Sequence, residues 1–209
     1  MVFSSTELLS LDTMSFEPGP QMLSPRNGCA AVVLDARRVL VIGWRSDAPS
    51  SCLATTEVLD IGTMTFAPGP TMRAHRRGCA AVLLPGERRV LVVGGHDGLA
   101  SLSTTEVLNI GTMAFSPGPA MTTGRSWCAV VSVPGSILVL GGLAESASTT
   151  EALTLKTMSF AVGPTMLVPR SGCAVLSLPR DHSPHRALVV GGHDGTSFLS
   201  TIAVLTCPD

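Results

Sequence analysis

The phrase TMTFAPGPTM, from Thr63 to Met72, is written four times, with TMSFEPGPQM starting at Thr13, TMAFSPGPAM at Thr112 and TMSFAVGPTM at Thr157. Repetition at a fixed period constrains a fold before any local propensity does, because each copy is one supersecondary unit that stacks on the next. Met22, Met72, Met121 and Met166 close the phrases at steps of 50, 49 and 45. Cys29, Cys79, Cys128 and Cys173 keep the same steps, and Arg26, Arg76, Arg125 and Arg170 each stand three residues before those cysteines. Glu7, Glu57, Glu106 and Glu151 share the period as well. Several residue types on one period mark a duplicated unit.

The unit from Arg73 to Met121 shows what is duplicated. Its apolar run Cys79–Leu84 ends at Pro85-Gly86, and a second run, Val90–Val93, stops at Gly94-Gly95. Runs that short, bounded by breakers, read as buried strands. The segment STTEVLNIG is a third strand, rich in β-branched residues. TMAFSPGP makes a turn and a short fourth strand that Pro117 and Pro119 end. Proline cannot donate a ladder hydrogen bond, so this strand belongs at a sheet edge. Four strands on short turns form one antiparallel sheet, and copies stacked face to face about an axis bury both faces of each. The expected fold is all-β: a propeller of four-stranded antiparallel blades, about four in number.

The pattern is similar to the kelch repeat, whose period is about 50 residues. The double glycines Gly94-Gly95, Gly141-Gly142 and Gly191-Gly192 carry the resemblance, with Pro-Arg at Pro25-Arg26 and Pro169-Arg170 and Thr-Glu-Val-Leu at Thr56–Leu59 and Thr105–Leu108. Phe16, Phe66, Phe115 and Phe160 stand where the family usually has Trp; the chain has no tyrosine, and the first double glycine is Gly43-Trp44. The resemblance covers almost the whole chain. A single domain over 1–209 is expected, with a partial repeat at 1–22, complete repeats at 23–72, 73–121 and 122–166, and a partial repeat at 167–209. Kelch-like rings usually close by mixing strands from both termini. Ser4–Pro20 is therefore expected to complete the sheet begun by Arg170–Gly192, with TIAVL as a competing third strand.

Net charge is −1, so neither nucleic acid nor an anionic membrane is the expected partner. No apolar run approaches the ~18 residues that span a bilayer. The start MVFSSTELLSLD lacks the charged and apolar segments of a signal peptide. With four of the six cysteines recurring in the repeat, a cytoplasmic protein is expected, either a monomer or a ring-completing dimer.

The repeated cysteines could suggest a tetrahedral metal site. Each is followed by Ala, however, and strand side chains in a propeller point into interblade faces, so a packing role is expected. The repeated Arg and Glu read as structural ion pairs within or between blades, because Arg grips a carboxylate with two bonds. The repeated GGHDG at Gly94–Gly98 and Gly191–Gly195 reads as a tight turn capped by its Asp. His182 and His185 form an H-x-x-H without acidic or Cys support, and Cys52 and Cys207 have no evident partner. No nucleophile elbow, P-loop or zincin motif is present, and the tyrosine ligands of kelch-like copper oxidases are missing. No cofactor and no metal are expected.

Residues that break the repeat are the better functional candidates. Arg77 stands where the other units have Asn27, Ser126 and Ser171, and Trp127 replaces Gly28, Gly78 and Gly172. Trp44 and Arg45 interrupt the first double glycine, and His75 precedes a first strand. The resemblance implies that loops entering the first strand and joining strands two and three build a partner-binding rim, where Trp and Arg are common anchors. The expected function is a non-catalytic module that binds a protein or peptide on one propeller face. An enzyme or carbohydrate-binding propeller with a site in the central cavity is the alternative, and a degenerate repeat product without a ligand is a third reading.

Overall fold

The structure is a computed structural model that describes residues 3–43, 54–143, 146–178 and 186–206. Its strands form an all-β, four-bladed β-propeller arrangement of antiparallel sheets. A two-stranded sheet, β1 (Glu7–Ser10) and β2 (Ser15–Pro18), precedes the blades. Blade I contains β3 (Ala30–Val33), β4 (Arg38–Ile42), β5 (Thr56–Asp60) and β6 (Thr65–Pro68), in that spatial order. Blade II repeats it with β7 (Ala80–Leu83), β8 (Arg89–Val93), β9 (Thr105–Asn109) and β10 (Ala114–Pro117). Blade III contains β11 (Ala129–Val133), β12 (Ser136–Leu140), β13 (Thr150–Thr154) and β14 (Ser159–Val162). Blade IV stops at three strands, β15 (Ala174–Ser177), β16 (Arg186–Val190) and β17 (Ile202–Thr206). As the prolines require, the fourth strand is the outer edge of its blade.

The second strand of each blade shows why the blades stack. Val90, Leu91, Val92 and Val93 of β8 are all fully buried. Successive side chains of a strand point to opposite faces. Leu91 and Val93 thus enter a core with Ile137, Val139 and Leu153 of blade III, while Val90 and Val92 enter another with Leu40 and Ile42 of blade I. Each fully buried side chain of this size contributes ~1.5–3 kcal/mol, and a lone sheet would forfeit half of them. A third core joins Val131 and Leu140 of blade III to Ala187 and Val189 of blade IV. The inner strands β3, β7, β11 and β15 lie side by side in that order, and among the described residues no comparable approach joins β15 back to β3.

The expectation that Ser4–Pro20 completes the last sheet is corrected. β17 pairs with β16, Val189 facing Ala203, and β1–β2 forms its own sheet. That sheet is tied to blade I by the Phe3–Arg26 bridge. The reason is loop closure: β17 follows β16 after a single loop, residues 191–201, whereas β1 is separated from it by most of the chain, and closure entropy grows with separation.

The repeated Arg and Glu pair within a blade. Arg26 donates from Nε and Nη2 to Glu57 at 3.1 and 3.0 Å, Arg76 Nε to Glu106 at 3.0 Å and Arg125 Nε to Glu151 at 3.1 Å. Each carboxylate also accepts two amides from the loop before the first strand: Leu23 and Ser24, Arg73 and Ala74, Thr122 and Thr123. The guanidinium is thereby tied to strand three. It also reaches the double glycine, Arg76 Nη1 donating to Gly94 O at 2.7 Å. Glycine is needed at that turn, since Gly94 has φ +62 and a Cβ there would stand 2.3 Å from Arg125 O. Removing one member of a buried pair leaves an uncompensated charge. Arg76→Ala is expected to lose ~3–5 kcal/mol in urea unfolding; a loss below ~1 kcal/mol, the scale of a surface pair, would show that the clamp is not structural.

Three of the four repeated cysteines pack in or against these cores, Cys173 against the third, whereas Cys29, expected to pack, is exposed beside blade I. Cys128 and Cys79 belong to the clusters on either side of blade II, and burial pushes both thiols up to about 12. The thiolate is the reactive form. Alkylation at pH 8, mapped by site, is expected to modify exposed Cys29 in the folded protein and Cys79 and Cys128 only after unfolding.

Candidate functional site

The loops that enter the first strands and those that leave the second strands meet at one end of the blades. A belt of backbone hydrogen bonds links the first set across the blades: Gly172 N donates to Trp127 O at 2.8 Å, Trp127 N to Gly78 O at 2.7 Å and Gly78 N to Gly28 O at 3.2 Å. Each belt position is left-handed, with φ of 59, 63, 57 and 62° at Gly28, Gly78, Trp127 and Gly172. Glycine adopts this region freely; a bulky L-residue there costs ~1–2 kcal/mol. Trp127 is therefore held in strain where the repeat asks for glycine, and such outliers cluster at functional sites.

The indole lies over the belt. A Cβ at Gly28 would stand 2.8 Å from the ring, and one at Gly78 3.0–3.1 Å from three ring atoms. Arg77 places its guanidinium carbon 5.8 Å from the ring centroid, within cation–π range. Its loop is fixed by paired backbone bonds, Arg77 N to His96 O at 3.0 Å and His96 N to Arg77 O at 2.8 Å.

Beside Trp127 opens a cavity of about 440 Å3, lined by Leu143, Ser171, Gly172, His193 and Phe198 among others. Phe198 is 90% exposed and packs edge-on against His193, with ring centroids 5.0 Å apart. The turn that presents Phe198 is the second GGHDG. Asp194 Oδ1 accepts the amides of Thr196 and Ser197 at 2.8 and 2.7 Å and the Thr196 hydroxyl at 2.7 Å. The Ser197 and Thr196 bonds hold its carboxyl down to about 2. His193 Nδ1 accepts Gly195 N at 3.0 Å. The first GGHDG repeats this turn with Asp97 and His96, so His and Asp serve the backbone there, as the sequence indicates.

Of the residues singled out in the sequence, the structure brings Arg77 and Trp127 together. His75 is exposed on the loop that carries Arg77, and no contact joins it to the indole among the described residues. Trp44 and Arg45 lie outside the described residues, as do Asp47, Cys52, Glu145, Asp181, His182, His185 and Cys207. Asp35, an acid of the opposite end, is engaged by Arg38 at 2.7 Å, and Glu87 by Arg89. Sequence reasoning placed His193 in a turn without giving it a part in the cleft, and it missed Phe198 and Leu143. The available signal was an apolar residue, Phe198, just beyond a glycine turn. Among the described residues no group of three His, Cys, Asp or Glu is placed to hold a metal ion, and no helix is long and apolar enough to cross a membrane.

No protein-family model matches the chain, and no curated protein does either. The site therefore has to be read from its own chemistry, an aromatic and apolar cleft with a stacked cation at its edge.

The contact between Trp127 and Gly78 can be measured as a coupling. Gly78→Ala forces a Cβ against the ring at a left-handed position. In the Trp127→Gly background its cost is expected to fall to the backbone penalty alone, ~1–2 kcal/mol. A double-mutant cycle in urea reads the difference; strictly additive effects would show that the indole does not rest on Gly78.

Proposed function

We propose that this chain is a kelch-type propeller that works as a non-catalytic interaction module, binding a protein or peptide segment through its first-strand rim. The single observation that carries the reading is Trp127, a strained indole at a glycine position, standing beside exposed Phe198 and Leu143. Strain of that kind persists only where the surroundings impose it. Aromatic residues and Arg are the side chains that dominate binding hot spots. The cleft is lined mainly by apolar side chains, with His193 and Ser171 as polar groups that orient a ligand, which is the usual make-up of a recognition site. An apolar or aromatic anchor residue on the partner fits it best. Kelch kinship is supported by the double glycines, the period and the propeller arrangement together, and the near-neutral charge favours a protein partner over a nucleic acid.

The test is a selection of peptides from a random library on the wild-type protein, followed by titration of the selected peptides against variants. Trp127→Ala and Phe198→Ala are expected to weaken binding by ~2 kcal/mol each, about thirtyfold. Lys156→Ala, in the β13–β14 turn at the opposite end, is expected to leave binding unchanged. Selected peptides that bind Trp127→Ala and Phe198→Ala as tightly as wild type would place recognition elsewhere and overturn the proposal.

A further inference from the structure

The Arg–Glu clamp has three complete copies and a fourth without its carboxylate. Ala203 faces Val189 in blade IV as Glu57 faces Val41 in blade I, so Ala203 occupies the glutamate's place. Arg170 is nevertheless retained and buried, with 2% exposure. It keeps the other bonds of the clamp: Nη1 donates to Gly191 O at 2.6 Å and Thr201 O at 3.1 Å, and Nη2 to Thr201 Oγ1 at 2.9 Å. Its Nε donates to a carboxylate in the three intact copies. In blade IV it has no acceptor among the described residues, and the same holds for the amides of Leu167 and Val168. Their equivalents in the other blades grip the glutamate at 2.7–3.2 Å. A cavity of about 330 Å3 opens at this point, lined by Leu167, Val168, Arg170, Ile202, Ala203 and Val204 among others.

We propose that this cavity is a carboxylate-binding socket, filled by Glu7 of a second copy of the chain. The donors of a glutamate site are present with their geometry set by three filled copies, and only the carboxylate is missing. Glu7 is the complementary remainder. Three of the four repeat glutamates have their arginine, and among the described residues no cation reaches Glu7, which is exposed. Among the described residues both strands that would meet are edges: β17 has no fourth-strand neighbour, and β1 is paired only with β2. On adjoining strands the residue directly opposite Ala203 lies on the same face at ~4.5–5.5 Å, within reach of a glutamate side chain. Both ends also expose apolar side chains, Leu8, Leu9 and Phe16 on one and Ile202 and Val204 on the other. Edge-to-edge strand addition supplies the backbone bonds, and the glutamate sets the register. Because β1 of the same chain is anchored on blade I, the association is head to tail.

Sedimentation velocity over a range of protein concentrations, with thermal melts of the same samples, tests this. The wild type is expected to self-associate. Glu7→Gln removes the charge of an exposed residue and is expected to weaken association about tenfold or more while leaving the melting temperature of the dilute protein unchanged. Ala203→Glu restores the internal carboxylate; it is expected to weaken association similarly and to raise the melting temperature. A wild type that stays monomeric at every concentration overturns the proposal. So does association that neither variant changes, or a dilute-protein melting temperature lowered by Glu7→Gln, which would place Glu7 in a contact within its own chain.

Discussion

A blade of this protein cannot exist singly, because its second strand is apolar on both faces. Val90 and Val92 need a sheet on one side and Leu91 and Val93 a sheet on the other. A strand buried on both faces loses the alternation that an exposed sheet would show and becomes a continuous apolar run. The same constraint sets the limits of the array. At its ends, side chains that would lie between blades are exposed, as with Val190, Ile202 and Val204 in blade IV and Leu8, Leu9 and Phe16 in β1–β2. Interior junctions supply stability, and the ends are left with surface to cover.

Stacking fixes the blades against one another, and the buried arginine fixes the loops on each blade. Arg76 ties the approach to β7 both to Glu106 in β9 and to the carbonyl of Gly94 after β8, so one side chain binds three segments of a blade. Arg125 does the same in blade III, reaching Glu151, Gly141 O and Thr149 O. The rim residues adjoin these anchors in sequence: Arg77 follows Arg76, Trp127 stands two residues after Arg125, and Ser171 follows Arg170. A candidate binding surface made of loops is thus held by charges buried immediately beside it. Such loops lose little further entropy on binding, which favours recognition by a preformed cleft.

The sequence displayed the scaffold more clearly than the site, for a physical reason. Short apolar runs ended by Pro85-Gly86 or Gly94-Gly95 can only be strands, and Pro117 could only lie at an edge. Arg and Glu on one period had to meet, although spacing alone left open whether within or between blades. The pairing of Arg26 with Glu57 resolves that, and it is the reason Glu7 and Arg170 are left at opposite ends. Trp127 was visible because it breaks a glycine position that needs a left-handed backbone. Phe198 offered only the weaker signal of an apolar residue beyond a glycine turn, since its exposure depends on how the second GGHDG turn projects it beside His193. The last sheet was misread because two segments carry nearly the same strand pattern, and only chain connectivity decides between them.

Duplication explains why departures from the repeat carry so much information. In an array where each copy has the same packing to satisfy, a residue shared by all copies is accounted for by that packing. A residue that departs has to fit a local environment that differs or leave a deficit. Trp127 departs toward strain: it gives up a relaxed glycine to lay an indole across two neighbouring blades. Ala203 departs toward vacancy: it gives up a carboxylate while Arg170 and its loop keep the shape that would receive one. Arg77 departs toward charge and stacks on the ring that Trp127 provides. The first lines the cleft, the third lies against the same ring, and the second stands alone at the open edge of blade IV, so the array presents two different surfaces built by breaking the same rule in different copies.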